Sequence, residues 1–443
     1  MKSQRSIVVK TLSRSPRLAL TLSLLALPAS AQQKLATLTV TLDRPTSGLD
    51  VPASFNLDEL TKLDAPGLSL VEVSGKTKTP IAFQVDKGGK TRMIYWMVNH
   101  TSDGAKSRTY ELAAAKTAAA QGGVAITDKD ESLVFAAGGT DLLSFKYGVQ
   151  KMPANFVERP NGKAINYARG GFIHPLKSPT GQVLTRINAP DHWHHYGIWN
   201  PWTHAHVNGN PEIVDFWNIG DGKATVRLDK TKDVLSGPVF AEAKADLSAL
   251  QLNPDRSIKV DALGETQTMR VYQPQGKQSY IFDFTSVLSP RVPFTIVAYR
   301  YAGFGWRATP EWNATNSEMI TSEGIDVRSK INGTRARWCI VQGMTGGEYA
   351  GAVVLSNPEN HSHPEAMRVW DEKNTNARDS GPGAVFFNFN PAMEEITPDW
   401  PLEVGKSYEL KYRMIVYTGK FTPAMAESAW QYYAKPATVV AKK

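Results

Sequence analysis

The chain has little cysteine, little net charge and few long apolar runs, and each shortage excludes something. One cysteine, Cys339, stands in 443 residues. A lone cysteine allows no internal disulfide, so the fold must hold itself by core burial, which a chain of this length can supply. Cys339 lies in the strand-like run Arg337-Trp338-Cys339-Ile340-Val341 and reads as an inert buried thiol. Beyond residue 31 no segment approaches the ~18 apolar residues of a membrane helix. The formal charge is +8, but Lys2, Arg5, Lys10, Arg14 and Arg17 have no acid among the first 31 residues; 8 minus 5 leaves +3 for the remainder. No basic stripe marks a nucleic-acid surface, so no nucleic-acid partner is expected. No internal repeat is visible.

What is present begins with an export signal. The five cations form a positive n-region, and Leu18 to Leu27 is apolar except for Thr21 and Ser23. Pro28-Ala29-Ser30-Ala31 ends in the small-x-small pattern of signal-peptidase sites. Residues 1–31 are therefore expected to be a cleaved signal peptide, with an uncleaved anchor as the alternative. The mature chain is expected to start near Gln32 and to be periplasmic or secreted, without a membrane span.

Strand signals dominate the rest. Leu38, Val40 and Leu42 alternate with Thr37, Thr39 and Thr41, and Ile94 to Val98 is another β-rich run. Turn clusters such as Pro66-Gly67 and Lys87-Gly88-Gly89-Lys90 punctuate them. A small N-terminal β-sandwich is expected over 34–115, followed by an Ala/Gly-rich linker from Ala113 to Gly123. Many strands joined by Gly, Pro and Asn turns then suggest a large antiparallel β-sandwich over 124–443. One helix is expected at the end, with Thr422 as cap, Pro423 in the first turn and Ala424 to Ala434 as its body. The predicted fold class is all-β.

Five of the nine histidines fall within fifteen residues: His192, His194, His195, His204 and His206. Trp193, Trp199, Trp202 and Trp217 stand in or just beyond the run. Imidazoles supply acid–base or ligand chemistry near neutral pH, and indoles supply flat apolar faces. On a regular strand His192, His194, Tyr196 and Ile198 would face one way, and Trp193, His195 and Trp199 the other. Rings two residues apart start ~7 Å apart at the backbone and can converge on one ion. Three readings follow: acid–base groups beside a sugar with tryptophans stacking on its ring, a divalent-metal site, or structural histidines beneath a loop.

Ordered boxes surround this segment. Arg169, Gly171, Phe172, Ile173, His174 and Pro175 form the first, and Ser178, Pro179 and Gly181 a turn. Asp191, His192, His194, His195 and Gly197 form the third. Val207, Asn208 and Gly209, then Asp215, Phe216 and Trp217, form the fourth. With Ser322-Glu323-Gly324, Gly333, Arg335 to Trp338, Asn357-Pro358 and His363-Pro364, they resemble the PmoA-like family over roughly residues 150–420. That family carries a methane-oxygenase label and is otherwise of unknown function. Trp193 stands where the family has Pro and Tyr196 where it has Arg. Asn210 to Ile213 is an insertion, and His204 and His206 lie outside the pattern. The absence of a membrane helix sets the methane label aside. The resemblance implies a sandwich similar to those of carbohydrate-active supersandwich proteins, an analogy of fold.

The expected function is an exported enzyme acting on a carbohydrate or glycoside, a hydrolase or lyase. His192, His194, His195, His174 and Glu323 are the candidate acid–base residues. Arg169, Asp191, Trp193, Tyr196, Trp199, Asn208, Asp215, Trp217, Arg307 and His363 are the candidate substrate contacts. No cofactor is expected. A divalent metal remains an alternative, with His192, His194, His174 and Asp215 as its ligands, and so does a non-catalytic glycan-binding envelope protein.

Overall fold

The computed structural model describes residues 33–86, 89–99, 106–115, 122–160, 162–374 and 382–443. The expected signal peptide and most of the expected linker lie outside these residues.

Two eight-stranded antiparallel sheets make the body. The back sheet runs in the order Ala224–Leu235, Phe240–Leu252, Ile258–Tyr272, Ser279–Pro290, Tyr408–Thr418, Glu348–Ser356, Trp338–Thr345 and Ser317–Thr321. The front sheet runs Ala366–Val369, Phe386–Asn390, Gly305–Arg307, Ile198–Trp199, Phe172–Leu176, Thr140–Lys146, Ser132–Ala137 and Val124–Lys129.

Period-two alternation decides what each face meets. In Phe240–Leu252, Ala241, Ala243, Ala245, Leu247 and Ala249 enter the inter-sheet core. The small alanines leave room for Phe135, Phe145, Phe282, Phe304 and Trp306 in the same core. Large against small is how two sheets interdigitate at interior density. Trp306 is fully buried, and its indole N–H donates to Leu184 O at 3.0 Å. Cys339 is fully buried in this core, and burial pushes its thiol pKa up.

At the N-terminus a five-stranded sheet and a three-stranded sheet, the latter Val51–Asn56, Met93–Val98 and Phe83–Asp86, enclose a separate core that includes Leu38, Val40, Trp96 and Leu112. The last strand, Thr438–Lys442, does not stay with the large sandwich. It pairs antiparallel with Gln33–Thr41, from Thr37 opposite Lys442 to Thr41 opposite Thr438. The helix Pro423–Ala434 leads to it, with the Thr422 side chain accepting from Met425 N. Tyr432 of that helix packs into the N-terminal core. The molecule is all-β with one short C-terminal helix, and no helix among the described residues is long and apolar enough to cross a membrane.

Candidate active site on the outer face of the front sheet

The front sheet has a second face, turned away from the core. Cross-strand register lines up Ile173, Ile198, Trp306 and Phe387 on the core side. Alternation therefore puts Phe172, Trp199, Arg307 and Phe386 on the outer side, where a smaller aromatic cluster contains Phe172, Tyr196, Trp199, Trp217, Trp370 and Phe386. Two glycines make this face passable. A Cβ at Gly305 would lie 3.1 Å from the Trp217 ring. Gly197 has φ +67°, and a Cβ there would fall 2.3 Å from Ile173 O. A side chain at Gly305 would crowd Trp217 and Trp199, and one at Gly197 would strike the sheet backbone where the covering segment joins it.

That covering segment is the strand His192–Tyr196, hydrogen-bonded to Ile187–Ala189. Ile187 pairs with Tyr196 and Ala189 with His192, so two steps on one strand face four on the other. The ladder is bulged, and a bulge breaks strict alternation. This overturns the expected division of faces. His195 does not point away from His192: their rings stack with centroids 4.7 Å apart. His194 lies 4.8 Å from His195 and 5.4 Å from His192. Three imidazoles thus form one group, packed on Trp370, 4.7 Å from His192, and on Phe386, 5.1 Å from His195.

The group is ordered by charge. The Asp191 and Arg307 side chains are each 1% exposed. Arg307 donates to both Asp191 oxygens, at 2.8 and 3.2 Å, and its guanidinium lies 4.4 Å from the Trp370 ring centre. Asp191 Oδ2 lies 3.1 Å from His192 Nδ1. Burial alone would raise the Asp191 pKa, but the His192 hydrogen bond and the Arg307 charge outweigh it and hold the carboxyl at about 2. An ionised carboxylate only accepts, so Nδ1 of His192 is the donor. Nε2 is then the basic nitrogen, on a side chain that is 25% exposed.

The other histidines are kept uncharged. Burial, reinforced by His192, pulls His194 down to about 3. His195 is driven well below its ordinary value by burial and then by His192 and His194. His174 extends the same face beyond Gly197, whose Cβ would sit 3.2 Å from the His174 Cβ. Burial, with Lys146 nearby, brings it to about 4, and its Nδ1 lies 2.9 Å from Thr185 Oγ1.

The remaining candidates divide. Trp193 is half-buried and packs on Phe156 at 5.1 Å, so it is the indole of the segment that reaches the surface. Trp199 and Trp217 are 1% exposed; they form the floor and are not stacking platforms. Tyr196 is fully buried, and its hydroxyl donates to Tyr167 O. Arg169 is buried beneath it, its guanidinium 5.3 Å from the Tyr196 ring and its Nε donating to Gly170 O at 3.2 Å, so it serves the interior rather than the surface.

Asp215 spends its oxygens on a turn: Oδ1 accepts from Trp217 N and Asn218 N, each 2.8 Å, and Oδ2 from Asn218 Nδ2. Three other candidates are corrected by position. Asn208 is an exposed turn residue with φ +57°. Glu323 is exposed, with Ser322 Oγ donating to it at 2.9 Å. His363 belongs to a separate network in which its Nδ1 lies 3.2 Å from Ser356 Oγ, which donates to buried Glu365. The four residues considered for a metal are not gathered into one ligand set, and no group of three His, Cys, Asp or Glu among the described residues is placed to hold an ion.

Trp370 and Phe386 were not anticipated. Both lie far from the histidine run along the chain, and no local pattern marks them.

Comparison with known proteins gives little beyond the fold. No curated protein matches the chain. A solved protein in glycosyl hydrolase family 38 from Enterococcus faecalis is similar at 9% identity and TM-score 0.46, over 92% of this chain and 47% of that one. An alpha-mannosidase from Enterococcus faecalis V583 is similar at 10% identity and TM-score 0.44, over 92% and 46%. A galactose 1-epimerase from Lactobacillus acidophilus NCFM is similar at 8% identity and TM-score 0.28, over 67% and 94%. The chain spans about half the length of the first two, and likenesses this distant carry no argument about activity. A family model does match, across residues 132–431 and so across the whole back sheet, all of the front sheet but the strand Val124–Lys129, and every residue of the histidine group, and by that match the chain belongs to a family of unknown function, DUF6807.

Proposed function

We propose that the protein is an exported enzyme that acts on a carbohydrate or glycoside by proton transfer at His192. One observation carries this reading: the buried chain Arg307–Asp191–His192, in which an ionised carboxylate holds Nδ1–H and leaves Nε2 basic. A carboxylate in that position fixes the imidazole tautomer and stabilises the imidazolium formed when a proton arrives. His194 and His195, held neutral, add no competing charge. Trp193 offers a rim face for the apolar side of a sugar ring.

The reading needs no metal. Turnover is to be sought by incubating the protein with neutral and acidic oligosaccharides and following product by mass spectrometry, with His192→Ala as control and with EDTA added. The reading expects turnover in the native protein, its loss in the variant and its survival under chelation. Activity lost with EDTA and restored by a stoichiometric divalent ion would replace it with the metal reading. Turnover that persists in His192→Ala would remove His192 from the chemistry.

A further inference from the structure

Beside the histidine group lie two guanidiniums, half-buried Arg368 and exposed Arg300, that form no ion pair among the described residues. Arg368 lies on the strand Ala366–Val369, where Met367 and Val369 enter the main core. Arg368 therefore shares the outer face with Trp370, one side-chain position along the strand. Its cross-strand neighbour is Asn388, whose Nδ2 donates to Ala302 O and Phe304 O, each at 2.9 Å. The segment carrying Arg300 is thus fixed just across that strand. Arg300 lies over Tyr299, 5.0 Å to the ring centre, and its Nη2 donates to the Tyr299 hydroxyl at 2.7 Å. It also lies 5.9 Å from the centre of Tyr301, and Tyr301 packs on Trp217 at 5.0 Å. Trp217 in turn packs on His195. Arg300 is thus joined to the site by a run of ring contacts, Tyr301, Trp217 and His195, and Arg368 adjoins it as the same-face neighbour of Trp370.

Several buried or half-buried arginines have a matching acid: Arg307 has Asp191, Arg270 has Glu242, Arg413 has Asp283 and Arg108 has Glu72; Arg169, Arg328 and Arg335 instead donate to backbone carbonyls. Among the described residues, neither Arg300 nor Arg368 has a carboxylate oxygen within 4.0 Å. Arg368 donates to one neutral acceptor, Asn332 Oδ1, at 3.1 Å. A guanidinium has five N–H donors, so most of its fork is open. Burial, then the like charge of Arg300, holds Arg368 below its ordinary pKa. The nearby acids, Asp371 and Glu394, are exposed at the rim. They soften the net field without filling the fork, so selectivity would come from directed N–H groups more than from bulk potential. Carboxylate and sulfate oxygens fit such a fork bidentately, whereas a neutral sugar hydroxyl does not.

We propose that the saccharide bound at the histidine site carries an anionic group, a carboxylate or a sulfate ester, received by Arg368 and Arg300. This rests on the reading of the site as saccharide-directed and names its substrate class.

The test is titration calorimetry of the native protein with trigalacturonate, its full methyl ester, a sulfated galactose trisaccharide and the unsulfated parent. At least one charged probe should bind tenfold or more tightly than its neutral twin, and the favoured pair tells carboxylate from sulfate. Arg368→Gln should abolish that preference and Arg300→Gln should narrow it. Arg368→Lys keeps the charge without the fork and should recover the preference only partly, which covers the case of a Gln variant that does not fold. His192→Ala should keep the preference while losing turnover, so the anion site and the proton-transfer reading fail on different measurements. Equal binding within both pairs, no binding of any probe, or a preference intact in the double Gln variant overturns the anion site.

Discussion

The chain contains two His-x-His pairs with the same spacing and different fates. His192 and His194 join a third imidazole, a buried Asp–Arg pair and two aromatic rings. His204 and His206 do not. His206 lies on the strand Ala205–Val207, in register with Ile213 on one side and Thr295 on the other, and is half-buried. His204 packs its ring on Tyr299, and burial is the first cause of its lowered pKa. Of the two carboxylates within its electrostatic reach, Asp215 is occupied by backbone N–H groups and Glu394 is exposed. Spacing alone therefore does not make a site. The first pair gathers its partners because its ladder is bulged and because a strand more than a hundred residues away brings Arg307.

The largest test of that contrast is Arg307→Ala. It would strand the Asp191 carboxylate in a buried position without its cation. Loss of about 3–5 kcal/mol of stability is expected, since an unpaired buried charge is strongly destabilising, together with loss of turnover. Urea denaturation followed by fluorescence reads the first. A stability change below 1 kcal/mol would mean that the pair does not organise the site.

Next comes acid. His174 and His194 are held at about 4 and about 3 in the folded state, whereas unfolded histidine titrates near ~6.5. Between those values the unfolded chain binds protons that the folded chain refuses. Stability should therefore be complete above pH ~6.5 and fall as pH drops toward 4, by on the order of 3 kcal/mol for His174 alone. His174→Asn should flatten this part of the curve, and an unchanged slope would contradict the burial of that ring.

His192→Ala removes a partly exposed group. A stability cost within about 1–2 kcal/mol is expected, with turnover lost. Outright unfolding would make the first pair structural after all. The smallest effect belongs to the second pair: His206→Ala should change stability by no more than about 0.5 kcal/mol and leave kcat/KM unaltered. Glu323→Gln should do the same, because its carboxylate is exposed. A large activity loss in His206→Ala would erase the distinction between the two pairs, and one in Glu323→Gln would return that carboxylate to the chemistry.

Much of the fold was legible because strand alternation and turn residues are local signals. The alternation of Leu38 and Val40 with threonines, and the Thr422-Pro423 start of the helix, carry their own physical cause. The return of Thr438–Lys442 to the first strand was not legible, since nothing in five β-prone residues names a partner some four hundred positions away. At the candidate site, the concentration of histidines marked the segment in which three imidazoles gather. The direction of His195 was missed because a bulge is set by the partner strand's register, which the segment itself does not record. Asn208, Glu323 and His363 drew attention by residue type and order in the chain, and tertiary structure placed them elsewhere. Trp199 and Trp217 were recognised as aromatic, but their depth depends on what covers them.

The sequence by itself determined an all-β chain without disulfides, its terminal helix and the segment where imidazoles concentrate, because these follow from composition and from periods of two and 3.6 residues. Only the tertiary structure decided which imidazole meets a buried carboxylate. That depended on Arg307 meeting Asp191 across 116 positions, and on Gly197, at φ +67°, letting the chain pass from the bulged strand onto the sheet.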